Sequence, residues 1–116
     1  MYPKLPDDIQ RRALRTWHDE SDFSPILMRD HAVLGLAGEA GEVANQHKKD
    51  LFKPGWQTTR AERLDELGDV LYYVAILAWL DNCTIDELSQ MNAEKLKDGN
   101  GWEPNWYKYE TEQDNG

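Results

Sequence analysis

The chain has a single cysteine, Cys83, among its 116 residues. No internal disulfide is possible, and a reducing cytoplasm is the expected setting. Long apolar runs are missing too. The longest, around residues 70–80, falls short of the roughly 20 residues a membrane span needs, and no signal peptide is recognisable. Basic residues are scarce: 13 Lys and Arg against 22 Asp and Glu leave a net charge of −9. Tracking a phosphate backbone needs a basic face, so a nucleic-acid partner is not expected. The three histidines, His18, His31 and His47, include no pair four apart, which argues against a transition-metal site. No segment alternates with the period of a strand, and nothing repeats. What is present is ordinary for one globular domain: 40% hydrophobic and 30% charged residues, in a chain long enough for one modest core.

Four helices are expected. Asp7 and Asp8 favour the positive end of a first helix over about Pro6–Glu20, with Ile9, Ala13, Leu14 and Trp17 as its inner stripe. Ser24 and Pro25, a cap followed by a first-turn proline, start a second helix that runs to about Lys49, where cations suit its negative end. The segment DLFKPGWQT is a loop. Thr59 with Glu62 is a capping-box pattern opening a third helix to Leu80, stopped by Asp81–Asn82, and Thr84 with Glu87 repeats the pattern for a fourth, ending before Gly99. The domain thus spans residues 1–98. Residues 99–116 form a tail whose aromatics can pack on the body and whose acidic end reads as disordered.

Two pairs of acids stand out: Glu39 with Glu42, and Glu66 with Asp69. Residues three apart on a helix share a face. Each pair sits within an otherwise apolar helical stretch, residues 33–45 and 63–80, rather than on a solvated surface. Four converging carboxylates repel each other and resist desolvation unless a cation neutralises them. Oxygen ligands favour a hard ion, Mg²⁺, Mn²⁺ or Ca²⁺, and Mg²⁺ usually binds through a few carboxylates plus substrate phosphates. Gly35, Gly38 and Gly41 recur in the second helix at a cost of roughly 1 kcal/mol each against alanine, and Gly68 lies between the acids of the third. The simplest account is a close crossing of these two helices that brings the pairs within reach of one ion. Cys83 lies at the turn between the third and fourth helices with no matched base, so a catalytic thiol is not expected.

The stretches GLAGEAGEVAN, HKK, DELGDVLYYVAILA and TIDELSQMNAEKL resemble the MazG-like all-α nucleoside triphosphate pyrophosphohydrolases, over residues 8–97. The resemblance implies a four-helix MazG-like bundle completed by assembly into dimers or tetramers. It also implies Mg²⁺-dependent cleavage of a nucleoside triphosphate, a dNTP or non-standard NTP, into monophosphate and pyrophosphate. Metal binding falls on Glu39, Glu42, Glu66 and Asp69, with Glu39 or Glu42 orienting the attacking water. Phosphate contacts fall on Lys48 or Lys49, and substrate contacts on Asn92 and Lys95, within a match to the family's NxxKL. Two positions depart from the pattern. Gly38 stands where the family often has a further acid, and Gly99 where it often has an arginine, whose part Lys97 can take.

The apolar residues Ile26, Leu27, Val33, Leu34 and Leu36 are spread too widely around the second helix for one partner, so a homo-oligomer is expected on that ground as well. A non-catalytic helical oligomer that binds a metal or nucleotide as a regulatory module is the alternative reading. A di-iron carboxylate protein is a weaker one, because no Glu-x-x-His motif is present.

Overall fold

The computed structural model describes residues 4–17 and 24–97. Its elements are α1 (Asp8–Leu14), α2 (Pro25–Phe52), α3 (Arg60–Leu80) and α4 (Ile85–Lys97), an all-α fold with no strand among the described residues. The tail over 99–116, with Gly99, and the stretch that includes His18 and the expected end of the first helix at Glu20 lie outside the described residues. The chain divides into two units, Met1–Ile85 and Asp86–Gly116, whereas the sequence reading sets its boundary at 98.

Local signals set most helix ends. The Ser24 side chain accepts the Leu27 N–H at the start of α2, with Pro25 in the first turn. The Thr59–Glu62 capping box opens α3 in both directions, backbone and side chain. Asn82, with φ of 57°, takes the left-handed conformation just beyond the α3 cap at Asp81, where an asparagine side chain tolerates it better than most. Two ends differ from expectation. α2 continues three residues past Lys49 to Phe52, and the loop closes on Gly55, whose φ of 76° suits a residue without a Cβ. Asp50 fastens this loop: one carboxylate oxygen accepts both the Thr58 N–H and its hydroxyl at 2.7 Å, while Arg63 donates to the Thr58 carbonyl. α1 stops at Leu14. The amides of Arg15, Thr16 and Trp17 then bond three residues back, to Arg12, Ala13 and Leu14, the tightened pattern that ends a helix.

In the first unit, α3 packs along α2 and carries α1 against its second half. The buried centre is small-residue-rich: Ala13 from α1, Ala32 from α2, and Ala75 and Ile76 from α3, ringed by Ile9, Leu14, Trp17, Tyr72, Tyr73, Leu77, Leu80 and Ile85. Gln10 is buried with them, and its amide nitrogen donates to the carbonyl of Cys83 at 2.7 Å and of Ala75 at 3.4 Å. Asp7 accepts the Gln10 N–H with one oxygen and the Ile85 N–H with the other. The short α1 is thereby tied to residues far along the chain by polar bonds that no periodicity argument reveals.

The glycines of α2 behave differently from one another. A Cβ on Gly35 would overlap the Tyr73 ring, whereas one on Gly38, Gly41 or Gly68 would meet nothing within 4 Å. The expected close crossing therefore exists one turn before the acids, at Gly35, and not beside them. Gly35→Ala is expected to destabilise the fold by roughly 1–3 kcal/mol, the usual cost of overpacking, while Gly38→Ala should be neutral or stabilising through better helix propensity. Thermal melts of the two variants check this; equal melting temperatures would contradict it.

Candidate metal centre

α2 and α3 each present acids at the i, i+3 spacing, and packing of one helix along the other sets the two sets of carboxylates together. One oxygen from each of Glu39, Glu66 and Asp69 lies within 4.8 Å of the others. Glu39 and Glu66 are half-buried and Asp69 is exposed. Glu42, the fourth expected ligand, stands outside this close group and is exposed. Its charge still reaches Glu66, among the weaker influences on that carboxyl. Spacing alone does not explain the difference, since Glu66 and Asp69 are also three apart; the rotation of α2 against α3 does, turning Glu39 toward α3 and leaving Glu42, some 60° around and a turn further along, outside.

Glu66 is the electrostatic centre. Its carboxyl is held above the ordinary glutamate range, first by partial burial, then by a hydrogen bond and charge repulsion from Glu39, and further by Asp69 and Glu42. Neighbouring Tyr73 has its phenol pushed up as well, by burial, by Tyr72 and by the charges of Glu39 and Asp69. It therefore remains a protonated donor beside the acids. Tyr73 belongs to a ring cluster, 5.0 Å edge-on from Tyr72 and 6.3 Å from His31, with Trp17 5.2 Å from His31. Trp17, Tyr72 and Tyr73 pack against the buried core. That Tyr73 also borders the acids follows from its place seven residues after Glu66, two turns on, which keeps both on one face.

A divalent cation fits this arrangement on its donor chemistry. Three carboxylate oxygens supply hard ligands, and the elevated Glu66 carboxyl marks a negative charge that lacks a protein countercharge. Bonds of 2.0–2.1 Å to Mg²⁺ allow at most about 4.2 Å between opposite ligands, and bonds of 2.3–2.6 Å to Ca²⁺ roughly 5 Å. Three ligands cannot all be opposite one another, so carboxylate oxygens that lie within 4.8 Å of each other close on a common ion by rotation of their side chains. Gly68, between the acids in sequence, does not border them: it lines a hollow against α1 with Ile9, Arg12, Ala13, Leu71, Tyr72 and Ala75.

The expected cationic contacts are placed unevenly. Lys48 comes nine residues after Glu39, about half a turn away around α2, so it faces away from the acids. Lys49 stays within some 20° of the Glu42 direction by the same arithmetic, and its ammonium lies over the Trp56 ring at 5.1 Å, beside Lys53 at 4.7 Å. Asn92 and Lys95 are exposed, three apart on α4 in the second unit. Among the described residues, no helix is long and apolar enough to cross a membrane.

Over 82 residues the chain is 41% identical to the Gene 37 protein of Mycobacterium phage L5, covering 64% of this chain and 72% of that one. No family model and no solved structure matches the chain.

Proposed function

The chain belongs to the family of that phage protein, and we propose that this member is a Mg²⁺-dependent nucleoside triphosphate pyrophosphohydrolase. Its substrates are dNTPs or non-standard NTPs, and its products are the monophosphate and pyrophosphate. The observation that carries the reading is the convergence of Glu39, Glu66 and Asp69 from two helices onto one small volume, in the order and spacing of the MazG-like motif. Mn²⁺ serves the same ligands.

When bound, the cation neutralises and polarises a phosphoryl oxygen of the substrate. Glu39, Glu66 and Asp69 hold it. Glu42, close by but outside the tight group, is the carboxylate left to orient and deprotonate the attacking water. Tyr73 donates a hydrogen bond at the edge of the acids. Lys49, on the acid-bearing side of α2, holds the phosphates that depart as pyrophosphate, and the resemblance to the NxxKL pattern is what assigns substrate contacts to Asn92 and Lys95. Assembly into a dimer or tetramer in the cytoplasm completes the reading.

Hydrolysis of a nucleotide panel in ¹⁸O-labelled water tests the assignment. Attack at the α-phosphorus places the label in the monophosphate. Label confined to pyrophosphate or orthophosphate moves the attack to another phosphorus, and nucleotide binding with no turnover returns the chain to the regulatory alternative.

A further inference from the structure

We propose that a second copy of this chain covers the outer face of α2, the two helices running antiparallel about a two-fold axis near residues 38 and 39. Ile26, Val33, Ala37, Ala40, Ala44 and Leu51 are all exposed. At about 100° per residue they fall within some 40° of one line along the helix. The line lies well away from the buried side, where Met28 and Ala32 enter the core and Gly35 meets Tyr73. It extends over 25 helical rises, roughly 37 Å. Large residues sit at its two ends: Ile26 is 74% exposed and Leu51 62%. Alanines occupy its middle, where two helices can approach closely.

The occupant follows from the pattern's self-complementarity. Reversing the helix about residues 38 and 39 sets Ile26 against Leu51 of the partner subunit, Val33 against the partner's Ala44, and Ala37 against the partner's Ala40. An isologous contact of this kind pairs each position with a different one and repeats it by symmetry. Charge selects the direction. Asp30 and Lys48 are 18 residues apart, five full turns, so they flank the line on the same side. Neither forms an ion pair among the described residues. Antiparallel pairing sets Asp30 against the partner's Lys48, twice. Parallel pairing would swap the flanks, setting Asp30 beside the partner's Arg29, whose counterpart on this chain is bound to Asp81, and Lys48 beside the partner's His47, with no opposite charge to meet. On the other flank lie Arg29 and His47, and Arg29 is already neutralised by Asp81 of its own chain, 2.6 Å away. Nothing there repels a partner. Lys48, turned away from the acids, gains a role that does not involve substrate.

The proposal does not depend on metal or hydrolysis, because mass is the readout. Sedimentation equilibrium of the full chain should give twice the 13.5 kDa of one copy. Ala40→Glu, a change on an exposed helical surface to another good helix former, should shift the species to monomer with its helical circular dichroism intact. Lys48→Glu should weaken the dimer about tenfold, as two opposed charge pairs turn repulsive. Adding Asp30→Lys to it should restore the wild-type constant. A monomeric wild-type chain, a dimer indifferent to Ala40→Glu, or a double charge reversal that fails to restore association would each overturn the proposal. The charge-reversal pair decides the matter even where Ala40→Glu perturbs folding.

Discussion

Glu66→Gln should lower turnover by about a hundredfold or more, since it disturbs both ion placement and charge stabilisation, while making the metal-free protein more resistant to heat at neutral pH. The two effects have one origin. Glu66 is partly desolvated and faces the charge of Glu39, Asp69 and Glu42. Its ionised form is unfavourable in the folded chain without a cation, and the amide keeps its volume without the charge. The sign of the pH dependence follows. A carboxyl whose folded pKa is raised binds its proton more tightly in the native state, so the slope of stability against pH is negative for this group. The penalty is full above the raised folded value and vanishes as pH falls below the unfolded value of 4.5. Asp50, Glu62 and Asp81 act the other way. Their carboxyls are held low by Thr58, Thr59 and Arg29 respectively, and their stabilisation is lost as pH falls through their folded values. Melting curves of wild type and Glu66→Gln between pH 4 and pH 7 should therefore diverge as pH rises, the variant gaining. Asp65→Asn, one residue earlier and about 100° around the helix, is the control. Equal behaviour of the two variants in turnover and in melting would defeat the assignment of Glu66 to the centre.

Mg²⁺ should raise the melting temperature of the wild-type chain, and chelation should abolish hydrolysis. An ion that binds the native state alone, at a hundred times its dissociation constant, stabilises by about 2.7 kcal/mol. In a domain of this size that is a shift on the order of 10 °C. The shift should shrink as pH falls, because protons compete for the same oxygens, and Glu66, with the raised carboxyl, is the first to take one up. Calorimetry with and without excess EDTA measures it. Full turnover in EDTA, or a Mg²⁺ shift retained by Glu66→Gln, would defeat the metal reading.

Where the chain's reasons are local, its sequence is readable. Ser24–Pro25 and Thr59–Glu62 each place a side-chain acceptor over the first free amides of a helix, and both helices begin there. The i, i+3 acids are local too, so their sharing of a face is legible; that Glu42 stands apart from the other three depends on how α2 is rotated against α3. The early end of α1 was not legible, because a run of i→i−3 bonds after Leu14 competes with an apolar stripe that continues to Trp17. Gln10 carries no mark in the sequence of its burial, since its partners are backbone carbonyls 65 and 73 residues away. The glycines misled because a missing side chain signals space without saying what fills it: at Gly35 the Tyr73 ring does, and at Gly38, Gly41 and Gly68 nothing from this chain does.

The bonds of Asp7 and Gln10 also bear on the order in which the chain is made. Their partners are Ala75, Cys83 and Ile85, so as synthesis proceeds these polar ties of the first helix form only after α2 and α3 have both been made. The α2–α3 hairpin, whose contacts are nearer in sequence, can close sooner. α1 is thus made before α2 and α3 yet gains these ties after both, and until then the apolar side of α3 that it shields, Tyr72 and Ala75, stands open.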